Sequence, residues 1–321
     1  MKQLHQPVLR DTCVGLLAPA LGHDGAVMID ATLGLGGHTE AVLEAIPTVT
    51  VVGIDRDPQA LELASQRLLP FGDRFIPYLG TYDQIRHVAS TYGPDGKVDA
   101  ILADLGVSSL QLDHAERGFA YAQDGPLDMR MNQNEGVSAA ELIATAPLPE
   151  LTRILRVYGE ERYAPRIVQA IGRARATAPI TTTAQLVDLV RDAIPAAGKR
   201  KGGNPAKRTF QALRIAVNDE LTILERTLPS ALDSLNVGGR LVVESYHSLE
   251  DRLVKTIFAE GLTNTAPLGL PVIPDSDQPR LRALTRGALK ADMHEITTNP
   301  RAKSVRLRAV ELTAPWSPNE H

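Results

Sequence analysis

The chain has one cysteine, Cys13, in 321 residues, which excludes an internal disulfide and any cysteine-rich metal site. Aromatic side chains are also scarce. One Trp, seven Tyr and five Phe argue against an extended base-stacking platform. No uninterrupted apolar run reaches the ~18 residues of a membrane span. Arg10 and Asp11 interrupt the only apolar stretch near the start, so no secretory leader is read there and a cytoplasmic location is expected. The eight histidines show no paired metal-ligand spacing, and no structural metal is expected. What remains is an ordinary globular composition, 43% hydrophobic and 22% charged, long enough for about two domains.

Charge is more informative locally than globally. The total is −4, yet residues 151–214 hold 13 Lys/Arg against four acids (Glu160, Glu161, Asp188 and Asp192). That is a local net of +9, leaving −13 on the rest of the chain. Residues 280–308 add eight Lys/Arg against Asp292 and Glu295. Such asymmetry points to a polyanion partner on one face, the alternative being a solvated helical surface.

The first hundred residues alternate short apolar runs with helical patterns. Ala26–Asp30, Val49–Ile54, Arg74–Leu79 and Val98–Ala103 read as strands, and Pro58 opens a helix. Continuous β-branched runs of this kind belong to a parallel sheet covered on both faces. After Gly106 the rhythm becomes helical, then strands resume. A long helix is expected from Phe210 to about Leu235, followed by the strand Arg240–Ser245 and a helix over Leu249–Glu260. The run Ser304–Leu312 alternates Val/Leu with Arg, as a half-exposed edge strand should. The expected architecture is α/β, a mostly parallel doubly wound sheet over 1–112 and 213–321, with an inserted all-helical domain over 113–212.

Asp30-Ala-Thr-Leu-Gly34-Leu-Gly36-Gly37-His38-Thr39 stands where the first strand meets the first helix of the alternation. Glycines there admit a ligand close to the backbone, and the helix N-terminus offers unpaired N–H groups. The dinucleotide pattern G-x-G-x-x-G is incomplete, because its third position is Thr39, and no Gly-Lys-Ser/Thr phosphate loop is present. Asp55 ends the second strand, 19 residues after Gly36, where a carboxylate accepts ribose hydroxyls. Turn and acid together suit an adenosyl ligand without pyrophosphate, S-adenosylmethionine. The bland alternative is a tight turn plus a surface Asp. Asp104 ends the fourth strand and is expected on the same rim, with helix capping as its alternative role.

Ten motifs then occur in register. They are His5-Gln-Pro-Val-Leu, Asp30-Ala-Thr-Leu-Gly-Leu-Gly-Gly-His-Thr, Gly53-Ile-Asp-Arg-Asp-Pro, Asp104-Leu-Gly-Val-Ser-Ser with Arg117-Gly-Phe, Gly125-Pro-Leu-Asp-Met-Arg-Met, Gly159-Glu-Glu-Arg-Tyr, Arg208-Thr-Phe-Gln-Ala-Leu-Arg, Tyr246-His-Ser-Leu-Glu-Asp-Arg and Asn299-Pro-Arg-Ala-Lys-Ser. From about His5 to Arg308 the chain closely resembles the MraW family of ribosomal RNA small-subunit methyltransferases. The resemblance implies a class I, Rossmann-like, S-adenosylmethionine-dependent methyltransferase fold with an inserted helical domain. It also implies methylation of the exocyclic N4 of the P-site cytidine in 16S rRNA of the small ribosomal subunit. Carried over by motif, the cofactor contacts fall on Gly36, Gly37, His38, Asp55, Tyr82, Asp104 and Gln111. The family usually has Phe where Tyr82 and Tyr246 stand, and a proline in the loop before Gln111.

Asp104, or a backbone carbonyl of its loop, is the expected acceptor of a hydrogen bond from the cytosine amine. His247, on the same rim, is a second catalytic candidate; its alternative is a helix cap formed at Ser248 with Glu250 and Asp251 in the first turn. Lys199, Arg200, Lys201, Lys207 and Arg208 form the expected phosphate-gripping basic loop. Two other readings stay open: a methyltransferase for DNA or a small molecule, and an RNA-binding assembly factor without turnover. The oligomeric state is open between monomer and homodimer.

Overall fold

A computed structural model describes residues 6–195, 204–264, 266, 274 and 277–316. The chain divides into two compact units, Met1–Gly106 with Leu221–His321, and Val107–Glu220. In chain order the first unit begins with α1 (Arg10–Leu21), β1 (Val27–Asp30), α2 (Gly37–Ala45), β2 (Thr50–Asp55), α3 (Pro58–Leu68), β3 (Phe75–Leu79), α4 (Ile85–Tyr92) and β4 (Val98–Asp104). The second unit carries α5 (Ser109–Asp113), α6 (Ala139–Thr145), α7 (Leu148–Val157), α8 (Ala164–Thr177), α9 (Thr183–Ala193) and α10 (Lys207–Asn218). The first unit resumes with α11 (Glu220–Asp233), β5 (Leu235–Ser245), α12 (Ser248–Leu262), β6 (Leu281–Ala283), α13 (Met293–Thr298) and β7 (Arg306–Leu312).

The sheet order is β3-β2-β1-β4-β5-β7-β6. The first five strands are parallel, and β7 lies antiparallel to both β5 and β6. All four residues of β1 and the first six of β4 are buried, which is why these runs are continuously apolar. One core face gathers Ile29, Ile54, Ile101, Val243 and Leu224; the other gathers Cys13, Leu17, Met28, Leu43 and Leu102. Each fully buried Leu or Ile contributes about 1.5–3 kcal/mol, so this two-sided core is what holds the strand ends in place. Strand order reverses between β1 and β4, and the crevice outside the carboxyl ends of such strands is where ligands bind.

Three expectations are corrected. The single helix over 210–235 is two, because Asp219 adopts φ 51 and ψ 35 and closes α10 before α11 begins. The Val/Leu–Arg strand is not an edge strand. It lies inside the sheet, with the three-residue β6 outside it. Its arginines are paired: Arg306 Nη1, on a side chain still 46% exposed, and Arg308 Nε each donate to Asp251 at 2.8 Å, tying β7 to α12. Finally, α12 is capped by His247 rather than Ser248.

The helical unit has its own core, including Leu127, Met129, Leu151, Ile167, Leu186 and Leu213. Local signals set its helices. Ser138 with Glu141 and Thr182 with Gln185 form capping boxes, and prolines sit in the first turns of α7 and α8. Buried Met129 has φ 62, a conformation that costs a non-glycine residue free energy. Asn218 holds it there, donating through Nδ2 to Met129 O at 2.7 Å and accepting from Met131 N at 2.8 Å. No described helix is long and apolar enough to cross a membrane.

Candidate cofactor and active site

The turn after β1 is built by its backbone. Leu33 N donates to Ile54 O, fastening the turn to the end of β2, and Gly36 N donates to Leu33 O at 2.8 Å. Gly36 has φ 75, the left-handed region in which a side chain is strained. That conformation starts α2 at Gly37, so Gly37, His38 and Thr39 present their N–H groups in its first turn. Asp30 fastens the same turn from below. Its carboxyl accepts from Thr39 Oγ1 at 2.7 Å and from Thr32 N at 3.2 Å.

Asp55 lies at the end of β2, partly buried. Its Oδ2 accepts from Gly34 N and its Oδ1 from Asp57 N, both at 2.8 Å. Each oxygen therefore keeps a lone pair for a further donor. Burial pushes this carboxyl up to about 7, against the opposing pull of the two backbone donors. Hydroxyl groups of a ligand are suitable further donors, because they satisfy the acceptor without adding charge.

Asp104 ends β4 with its side chain 28% exposed. Thr32 Oγ1 accepts from its backbone N–H at 2.6 Å, and Tyr246 donates its hydroxyl to Asp104 Oδ1 at 2.8 Å. His38 Nε2 stands 3.7 Å from Asp104 Oδ2 and 3.5 Å from Glu244 Oε2. Cys13 donates its thiol to Glu244 Oε1 at 3.5 Å. His38, Cys13 and Glu244 are all buried, and a ligand atom from each lies within 4.8 Å of the others. Both ring nitrogens of His38 and Oε2 of Glu244 are buried without a hydrogen-bond partner. Burial, then the charge of Glu244, raises the Asp104 carboxyl well above the usual range; burial raises Glu244 to about 8.

Of the residues expected from sequence, His38 and Asp104 are thus brought together, and Gly36, Gly37 and Asp55 frame one turn. Tyr82 opens a short 3₁₀ turn before α4 and packs against the apolar layer on one sheet face. Gln111 belongs to the helical unit, where its Oε1 accepts from Ser108 N at 3.0 Å in the capping box of α5. His247 Nδ1 accepts from Glu250 N at 3.4 Å, while Glu250 Oε2 accepts from the backbone of Tyr246 and His247. That box orients Tyr246 toward Asp104. Lys207 and Arg208 begin α10, with Arg208 Nη1 donating to Glu160 O at 3.0 Å. Lys199, Arg200 and Lys201 lie outside the described residues. Cys13, Glu244 and the Tyr246 hydroxyl were not anticipated as parts of the site. One signal was available: an acid inside the apolar run Arg240–Ser245 has to be compensated.

A doubly wound sheet with one reversed strand, a glycine turn after β1 and acids closing β2 and β4 defines a Rossmann-like methyltransferase fold. The profile of the MraW methylase family matches residues 2–313. The chain is 61% identical over 318 residues to ribosomal RNA small subunit methyltransferase H of Beutenbergia cavernae, covering 98% of this chain and 95% of that one. It is 57% identical over 310 residues to the protein of the same name from Nocardioides sp. (97% of each chain), and 56% identical over 307 residues to that of Streptomyces avermitilis (96% of each). The chain belongs to the MraW methylase family.

Proposed function

We propose that this protein transfers a methyl group from S-adenosylmethionine to the exocyclic N4 of the P-site cytidine in 16S rRNA of the small ribosomal subunit. The observation that carries the reading is the pairing of Asp55 and its glycine turn with Asp104 on one strand-end rim. The cofactor suits the donors and acceptors present. Asp55 keeps lone pairs for ribose hydroxyls, Gly36, Gly37 and His38 offer N–H groups to a carboxylate, and Tyr82 offers a ring for the adenine. When bound, S-adenosylmethionine supplies the electrophilic methyl on its sulfonium.

Cytosine N4 is a poor nucleophile because its lone pair is delocalised into the ring. Holding it in line is therefore most of the task, and well-oriented groups reach effective molarities of about 10⁵–10⁸ M. Asp104 accepts a hydrogen bond from the amine, stabilises the positive charge that grows on N4, and then takes the surplus proton. Tyr246 fixes the Asp104 carboxyl in that orientation, and His247 fixes Tyr246 through Glu250.

The helical unit supplies the RNA grip. Arg156, Arg166, Arg173 and Lys207 have side chains with no hydrogen bond or ion pair among the described residues, whereas Arg153, Arg175 and Arg214 are spent within the unit. The free cations, with Arg208 and the basic run 199–201, are assigned to phosphate. Base selection then falls to the pocket, with the cytidine splayed out of its stack.

The test is labelled-methyl transfer to undermethylated small subunits, with nucleoside analysis of the product. N4-methylcytidine made by the wild type and lost in Asp55→Ala is the expected result. Cofactor binding without transfer to subunits would redirect the search to free RNA, DNA or small molecules.

A further inference from the structure

Two of the motifs singled out in the sequence have no role in the reaction as derived so far: His5-Gln-Pro-Val-Leu and Asn299-Pro-Arg-Ala-Lys-Ser. They meet each other and the glycine turn, all within the α/β unit. His5 lies outside the described residues; Gln6, Pro7, Val8 and Leu9 lie within them. The Pro7 ring covers Gly37, the first residue of α2. A methyl group on Gly37 would stand 2.5 Å from Pro7 Cγ and 3.1 Å from Pro7 Cδ, but an ordinary 3.5 Å from Arg67 Nη1. Gly37 is helical and outside the left-handed region, so its own conformation does not call for glycine. The proline ring beside it does.

The same segment is tied to the C-terminal motif. Asn299 is buried and donates through Nδ2 to Gln6 O at 3.2 Å. Its Oδ1 accepts from Arg301 N at 3.3 Å, capping the 3₁₀ turn Pro300–Ser304. Glu295, on α13, accepts through Oε1 from Leu9 N at 2.5 Å, and its own N–H is held by Asp292 Oδ1 at 2.8 Å. Leu9 has φ 47 and ψ 29, a conformation that costs a leucine free energy and persists only where the surroundings over-determine it. Val8 and Leu9 are buried in the same apolar layer as Ala302 and Val305.

We propose that Pro7, held in place by Asn299 and Glu295, is a positioning residue for cofactor binding: it braces the Gly36–Gly37 turn in the shape that presents the Gly37 and His38 N–H groups to the carboxylate of S-adenosylmethionine. This rests on the cofactor reading above. A turn that is competent only part of the time lowers affinity by that fraction, so a brace from outside raises affinity without touching the ligand. The brace lies on the flank of the turn and takes no part in methyl transfer. Its loss therefore raises the KM for the cofactor and leaves kcat at saturating cofactor nearly in place.

Calorimetry of S-adenosylmethionine and S-adenosylhomocysteine binding to the full-length protein tests this. Asn299→Asp keeps the oxygen that caps Arg301 and removes the donor to Gln6. Glu295→Ala removes the acceptor for Leu9, whereas Glu295→Gln retains one. Asn299→Asp and Glu295→Ala are each expected to weaken binding about three- to tenfold, the range of one hydrogen bond, with Glu295→Gln close to wild type. A second pair reads the brace directly. Gly37→Ala, driven against the proline ring, is expected to weaken binding about tenfold or more. Pro7→Ala removes the two ring carbons that the new methyl group would meet. In that background Gly37→Ala has room and is expected to cost little further affinity. Should the Asn299 and Glu295 variants not fold, the Pro7–Gly37 pair still decides.

Affinity that Asn299→Asp and Glu295→Ala leave unchanged overturns the proposal. So does a Gly37→Ala loss that is the same with and without the proline ring, or a fall in kcat at saturating cofactor as large as the rise in KM. If the wild type binds neither ligand, the cofactor reading fails and the brace with it; wild-type binding with indifferent variants sinks the brace alone.

Discussion

The strand-end rim of the α/β unit and the basic surface of the helical unit use charge in opposite ways. On the rim, Asp30, Asp55, Asp104 and Glu244 are gathered with hardly a cation, and burial raises each carboxyl. In the helical unit the excess is of Lys and Arg, much of it exposed. Burial disfavours the charged form of a carboxyl, so these acids hold a proton to higher pH than exposed ones do. Exposed cations keep their charge and act at range, with a strength set by salt. On the proposed function, chemistry belongs to the first region and substrate capture to the second.

The sharpest way to break this comparison is Asp55→Ala. Loss of two hydrogen bonds to a charged acceptor, at about 1.5–3 kcal/mol each, weakens cofactor binding at least about 100-fold by calorimetry. An unchanged affinity would remove Asp55 from the pocket. Next in size is Asp104→Asn. The transfer rate is expected to fall about 10²-fold or more, as for loss of a proton acceptor, with cofactor affinity nearly retained.

Lys207→Ala combined with Arg208→Ala probes the other region. RNA affinity should fall and its log–log dependence on salt should flatten by about 0.7 per lost phosphate contact on a single strand. The same pair of substitutions is expected to leave cofactor affinity where it was. A slope identical to wild type would mean that these cations form a merely solvated face.

Two smaller effects concern stability against pH, and they have opposite signs. Glu244 has a folded-state value raised to about 8, so the native state binds the extra proton. Its contribution is fully present below the unfolded value of about 4.3 and is lost as pH rises toward 8. Urea midpoints should fall over that interval in the wild type and fall less in Glu244→Gln. Asp251 behaves the other way. Burial would raise it, but hydrogen bonds from Arg308 and Arg306 outweigh burial and hold it below the usual range. Its contribution is present above about pH 4 and fades as pH drops through the folded value. Asp251→Asn should abolish that acid limb and lower the urea midpoint by the equivalent of about 1–3 kcal/mol.

Much of the sheet could be read from residues 26–104, because a strand buried on both faces must be apolar throughout. The break at Asp219 could not, since the helical pattern of α10 and α11 continues across it and only the left-handed backbone separates them. The interior position of Arg306–Leu312 was hidden for a related reason. Alternating Arg signals solvent only when no acid faces it, and Asp251 lies far from the strand in sequence. The basic count over 280–308 is partly offset by acids outside that window: Glu311 takes Arg282, and Asp251 takes Arg306 and Arg308. At the site, the glycine turn, Asp55 and Asp104 were legible as strand-end features. His247 was legible as a rim residue, but its capping geometry needed the backbone.

By itself the sequence determined what depends on neighbours along the chain: strand and helix periods, the turn that only Gly36 can make, the acids closing β2 and β4, and the uneven distribution of charge. The tertiary structure alone decided which charges survive. Cys13 and Glu244 are 231 residues apart, and they meet with His38 and Asp104 only because α1, α2, β4 and β5 converge at one rim. Desolvation is a property of everything packed around a group, so the run Arg240–Ser245 could flag a buried acid but not which groups would meet it.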